Sequence, residues 1–152
     1  MSWEQWVEEL IKSSFAEVKK VESIPLEQEE DVYASAYVFY TQGHYEKASS
    51  LFLQLCFTNP FDGRHWVGLA SSLQMQKEWK KALHAWGYAA LLDDTDPTSH
   101  FHAGECLFQC GEKEEAEKAL NQAILRLSAD KGVLKNKIET MQKLLEGSDS
   151  LA

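Results

Sequence analysis

The chain has 152 residues, 44% of them hydrophobic and 26% charged, and its 15 basic against 24 acidic side chains leave a net charge of −9. That length allows one domain with a real core, and the composition is that of a soluble globular protein. The acidic balance argues against a nucleic-acid binder, which needs a basic face to displace counterions, and against an anionic membrane surface as partner; a basic or largely apolar protein partner stays open.

The first element in chain order is an amphipathic helix. Trp3, Trp6, Val7, Leu10, Ile11, Phe15 and Val18 recur at helical spacing before Pro25 interrupts the pattern. Residues 1–28 are read as this helix and its linker. Glu4, Glu8 and Glu9, with no basic residue ahead of them, make a poor signal peptide. No apolar run approaches the roughly 18 residues needed to span a bilayer. Three cysteines cannot all pair within one chain and fit a reducing compartment. The expectation is a soluble cytoplasmic protein, retained in full, that does not bind membranes directly. The aromatic face of the first helix has two readings. It packs on the helices that follow, or it is a self-association surface in which Trp3, Trp6, Leu10 and Phe15 build a homodimer.

The next elements repeat. "GHYEKASSLFLQL" from Gly43, "KEWKKALHAWGYA" from Lys77 and "GEKEEAEKALNQA" from Gly111 start 34 residues apart. In this register Ala48, Ala82 and Ala116 coincide, as do Phe52, Trp86 and Leu120; upstream, Ala36, Ala70 and Gly104 coincide. Two helices pack closely only where a small side chain sits at their crossing, and these positions supply it. The period and pattern resemble the tetratricopeptide repeat. The expected fold is all-α, a right-handed superhelix of three tetratricopeptide helix pairs with flanking N- and C-terminal helices. The repeats are placed at 29–62, 63–96 and 97–130. Gly43 and Gly111 suit the turn inside a pair, where glycine accepts a positive φ. Lys77 stands in their place in the second repeat, which predicts a longer or differently shaped turn. Residues 131–152 close the chain with a stripe through Val133, Leu134, Ile138, Met141, Leu144 and Leu145, read as a capping helix and tail.

In "FHAGECLFQCGE", His102, Cys106 and Cys110 follow one another at four-residue steps. Successive members rise about 6 Å along a helix, so two of them, but not all three, could share a zinc ion. No second ligand pair lies nearby in sequence, and a disulfide along one helix is geometrically poor. The better reading packs Cys106 and Cys110 as small apolar residues. No phosphate-cradling loop, G-x-S-x-G or H-E-x-x-H is present. No catalytic residue, metal or cofactor is expected, nor an enzyme.

The first helix of each pair lines the inner face of a stacked array. With Val32, Ala36 and Phe39 turned to the paired helix, Tyr33, Tyr37 and Tyr40 form a stripe on another face, against the N-terminal helix or open to a ligand. The register equivalents are Val67, Ser71 and Gln74, with Arg64 at the rim, and then Phe101, Glu105 and Phe108, with His102 beside them. Such a groove is aromatic, and it lacks the Lys, Arg and Asn clamp that grips a C-terminal carboxylate. An extended peptide with apolar anchors fits it better.

Longer strings are more specific. "FHAGECL", and "LC" followed after five residues by D-x-R-x-W-x-G-L from Leu55 to Leu69, resemble the class II type III secretion chaperones, the LcrH/SycD group, over roughly residues 32–130. The resemblance implies a non-enzymatic bacterial chaperone that holds translocator subunits with apolar segments in the cytosol before export. It implies an extended client segment with Pro and Leu anchors, contacted by Tyr33, Tyr37, Tyr40, Tyr45, Arg64, Val67, Ser71 and His102. A needle-subunit chaperone and an adaptor of the secretion apparatus are the alternatives.

Overall fold

The computed structural model describes Ser13, residues 23–128 and residues 132–149. The four residues expected to self-associate, Trp3, Trp6, Leu10 and Phe15, lie outside the described residues. Among the described residues from 23 onward, seven α-helices follow one short 3-10 turn: α1 (Glu29–Thr41), α2 (Tyr45–Thr58), α3 (Gly63–Met75), α4 (Trp79–Leu92), α5 (Pro97–Gln109), α6 (Lys113–Leu125) and α7 (Gly132–Asp149). There is no strand among the described residues. Consecutive helices pack on one another, and α7 rests on α6 and α5.

Each helix boundary has a local cause. Asp62 caps α3 by accepting from the Arg64 N–H, and Asp96 caps α5 by accepting from the Thr98 N–H, with Pro97 in the first turn where its missing N–H costs nothing. The three turns inside the pairs are one motif used three times. The N–H groups of Gly43 and His44 donate to the carbonyls of Tyr40 and Phe39; Lys77 and Glu78 donate to Gln74 and Leu73; Gly111 and Glu112 donate to Phe108 and Leu107. This is the Schellman closure, which needs a left-handed residue. Gly43 and Gly111 take φ 82° and Lys77 takes φ 63°. The second turn is therefore neither longer nor different, contrary to what its lysine suggests; the lysine is held in a conformation that a Cβ disfavours by about 1–2 kcal/mol. Lys77→Gly is expected to raise stability by about 0.5–1 kcal/mol after the glycine's larger unfolded-state entropy is offset, read as a higher urea midpoint at unchanged slope.

The crossings use the small residues. Ala36, Ala48, Ala70, Ala82 and Ala116 are fully buried. A Cβ added at Gly104 would lie 3.0 Å from Leu120 Cδ2, and one at Gly68 only 2.3 Å from Phe52 Cε1. Two core clusters result. One runs from Ala36 through Trp66 and Trp86 to Cys106, and the other joins Phe101, Leu120 and Ala123 to Ile138 and Leu145 of α7. The exposed outer face of α1 is the telling exception. Asp31, Ser35 and Val38 occupy the register of His65, Leu69 and Ser72, which are buried against the preceding pair. With no described pair in front of it, α1 carries mostly polar residues there.

Candidate functional site

The specific strings turn out to be structural instructions. In the D-x-R-x-W segment, Trp66 is buried, donates from Nε1 to the Pro60 carbonyl at 2.7 Å and packs on Tyr88 at 4.5 Å between ring centroids. Burial pushes the Tyr88 phenol up to about 12. Arg64 donates to Asp62 Oδ2 at 2.8 Å and to Glu30 Oε1 at 2.7 Å, so it latches α3 to the start of α1. Its guanidinium lies 4.7 Å from the Tyr33 ring centroid, a cation–π contact. The hydrogen bonds from Arg64 hold the carboxyls of both Asp62 and Glu30 below the usual carboxylate range.

Between the first and second helix pairs opens a groove of about 550 Å³. Its walls include Tyr33, Tyr37 and Tyr40 on α1 and Arg64, Val67 and Ser71 on α3. Tyr37 is the most open of the tyrosines, 55% exposed. Tyr33 is half-buried, edge-on to Phe52 with ring centroids 5.9 Å apart, so it serves both core and wall. Tyr40 leans on Tyr45 at 5.5 Å, and partial burial raises its phenol above the ordinary value. Tyr45 stands behind Tyr40 and does not line the groove.

The remaining expected groove residues are placed differently. Phe101 is only 3% exposed and belongs to the lower core, and Phe108 packs against the same cluster. Gln74, Glu105 and His102 are knitted together with Trp86. Trp86 Nε1 donates to Gln74 Oε1 at 2.8 Å, Gln74 Nε2 donates to Glu105 Oε1 at 3.1 Å, and Glu105 Oε1 meets His102 Nδ1 at 2.5 Å. The His102 imidazole closes the circuit by stacking on the Trp86 indole, 4.6 Å between centroids. Phe101, His102 and Glu105 also edge a second recess of about 530 Å³ against Val133, Lys137 and Met141 of α7. One trough along all three pairs was expected; the structure has a groove over the first two and a separate recess beside α7.

The 34-residue register explains the division. Phe52 of α2 and Trp86 of α4 are equivalent, and so are the residues they meet, Gly68 of α3 and His102 of α5. At the first junction the partner has no side chain, so the Phe52 ring settles onto backbone and becomes the floor of an open space. At the second junction an imidazole fills that space. The lining that the sequence reading missed follows from the same geometry: Phe52 and Leu92 come from second helices, and Phe61, Asp62, Asp93 and Asp96 from the turns between pairs.

His102, Cys106 and Cys110 share a helix without forming a site. Cys56, Cys106 and Cys110 are free thiols, and burial pushes Cys106 up to about 12, so its sulfur is protonated at neutral pH and packs as an apolar group. Among the described residues no group of three His, Cys, Asp or Glu side chains could hold a metal ion, and no helix is long and apolar enough to cross a membrane.

Helix pairs closed by one recurring turn, with a groove between the first and second pairs, define a helical-repeat scaffold of the tetratricopeptide type. The tetratricopeptide-repeat family model matches residues 33–100. Low calcium response locus protein H of Yersinia pestis is 35% identical over 133 residues, 88% of this chain and 77% of that protein. The structure of the Yersinia enterocolitica type III secretion chaperone SycD, in complex with a peptide of the translocator YopD, superposes with a TM-score of 0.76 at 31% identity, covering 84% of this chain and 99% of that one. PcrH in complex with the chaperone binding region of PopB gives a TM-score of 0.71 at 28% identity, covering 78% and 97%. The chain belongs to the LcrH/SycD family of tetratricopeptide-repeat type III secretion chaperones.

Proposed function

We propose that this protein is a non-enzymatic, cytosolic bacterial chaperone. It binds an extended segment of translocator proteins in the groove walled by Tyr33, Tyr37, Tyr40, Arg64, Val67 and Ser71, and keeps those proteins soluble and competent for export. Residues 29–130, read as three repeats, are the client-binding unit, and α7 is their cap. The observation that carries this reading is the tyrosine-walled groove itself, in a chain whose relatives SycD and PcrH are seen with translocator peptides.

The physics is that of solvent. Apolar segments exposed in water associate with one another. Holding a stretch beside them keeps each client chain apart. Three fully buried apolar anchors contribute about 5–9 kcal/mol, while ordering a flexible segment costs about 2–5 kcal/mol. The difference falls short of the roughly 8 kcal/mol of a micromolar complex. Polar contacts to the client backbone, or a second contact such as the recess beside α7, supply the rest. A complex of that strength is stable enough to prevent aggregation and weak enough to release its cargo.

Co-expression with candidate exported proteins, followed by mass spectrometry of what co-purifies, tests the reading. The expected outcome is an exported protein with long apolar segments that is insoluble when expressed alone. Recovery of a needle subunit would favour a needle-subunit chaperone. Recovery of an apparatus component, with no change in any exported protein's solubility, would favour an adaptor.

A further inference from the structure

Three carboxylates, Asp62, Asp93 and Asp96, edge the groove at the turns between helix pairs. They are not equivalent. Asp62 and Asp96 are N-caps of α3 and α5, where the helix dipole offsets a negative charge, and Asp62 is also paired with Arg64. Asp93 is the C-cap of α4, where the dipole adds to its charge, and the last turn of α4 carries no basic residue. Its partners are neutral: the Thr95 N–H and hydroxyl donate to Oδ1 at 3.1 and 2.6 Å. Its neighbour Asp94, by contrast, has Arg126 at 2.9 Å. Among the described residues Arg64 is the only basic side chain lining the groove, and it is already committed to two carboxylates. Among the described residues this leaves an apolar floor beside one negative charge with no cationic partner at a helix C-terminus, a half-site for a cation attached to an apolar chain.

We infer that the segment taken up by this groove carries a lysine or arginine next to its apolar anchors, and that Asp93 selects it, with Asp96 adding to the field. The inference rests on the groove reading proposed above. Apolar anchors supply the affinity, and the cation sets which apolar segments are accepted and in which direction they lie.

The test uses fluorescence anisotropy with three labelled synthetic peptides. They share the same proline and leucine anchors and carry Lys, Gln or Glu at the flanking position. The Lys peptide is expected to bind about fivefold more tightly than the Gln peptide at low salt, and the Glu peptide more weakly than either. This preference should shrink in about 0.3 M salt. Asp93→Asn keeps an oxygen for Thr95 and is expected to bring the Lys and Gln peptides within about twofold of each other, with the Gln affinity unchanged. Glu139→Gln, the same change in net charge on the exposed face of α7, should leave the preference intact. Equal binding of the three peptides, or equal effects of the two variants, would overturn the inference while leaving the groove reading in place, provided Tyr37→Ala still weakens all three. No binding at all, or binding indifferent to Tyr37→Ala, would overturn both.

Discussion

Replacing Tyr37 and Tyr40 together with alanine is expected to weaken binding of a translocator segment at least tenfold while native helicity is kept, at a modest cost in Tm from the part of Tyr40 that packs on the core. A tyrosine ring buries about 150–250 Å² on contact, and truncating such an anchor at the centre of an interface typically costs about 2 kcal/mol. Two anchors therefore set about one to three decades of affinity at stake, since about 1.4 kcal/mol is tenfold. The pair is chosen because Tyr37 is open and Tyr40, which packs partly against the core, makes fewer core and ion contacts than Tyr33. Tyr37 is 55% exposed, and Tyr40 packs sideways on Tyr45 at the groove's edge. Tyr33 is a poorer probe, because it backs Phe52 and carries the Arg64 guanidinium, so its removal disturbs core and groove together. Titration calorimetry against a co-purified client segment reads the affinity, and far-ultraviolet circular dichroism with a thermal scan checks the fold. Undiminished affinity with native helicity would place the client somewhere other than this groove.

How legible was all this in the amino-acid order? The scaffold was written in plain view, because the steric demand it answers recurs every turn of the array. Ala36, Ala70 and Gly104, and Ala48, Ala82 and Ala116, are small for one reason, and that reason repeats with the chain. The α1 tyrosine stripe was legible too, since the helical period puts Tyr33, Tyr37 and Tyr40 on a face distinct from Ala36. What could not be read was which register positions remain empty once neighbours arrive. Gln74 and Glu105 look like open polar residues on a helix. Only the indole of Trp86, arriving from the second helix of the same pair as Gln74, turns them into a closed network. Gly68 looks like one more flexible residue until the Phe52 ring is found where its side chain would be. The signal was present in the register, as glycine where the next repeat has His102, but its meaning depends on contacts between different pairs. Lys77 shows the opposite limit: a residue ill suited to a turn is carried into it by the hydrogen bonds of the turn and the packing on either side.

The second large effect is expected at Trp86. Truncation to alanine removes a buried indole, 2% exposed, at the junction of the second and third helix pairs, which typically costs about 3–5 kcal/mol. It also strands the acceptor on Gln74 and the stacked face of His102. For a chain of this size the loss corresponds to a fall of roughly 10–15 °C in Tm. Trp86→Phe keeps most of the ring area against His102 but loses the N–H donor, so it should cost less, about 1–2 kcal/mol. Gln74→Leu removes the same hydrogen bond from the other side. Combined with Trp86→Phe, it should therefore cost less than the sum of the two, with a coupling of about 0.5–1.5 kcal/mol. Because Trp86 lies outside the groove, the protein that remains folded should lose far less affinity for a client segment than the tyrosine pair does, which separates the two variants. A Tm shift of only a few degrees for Trp86→Ala, or strict additivity in the cycle, would mean that the second and third pairs are held together by contacts other than this network.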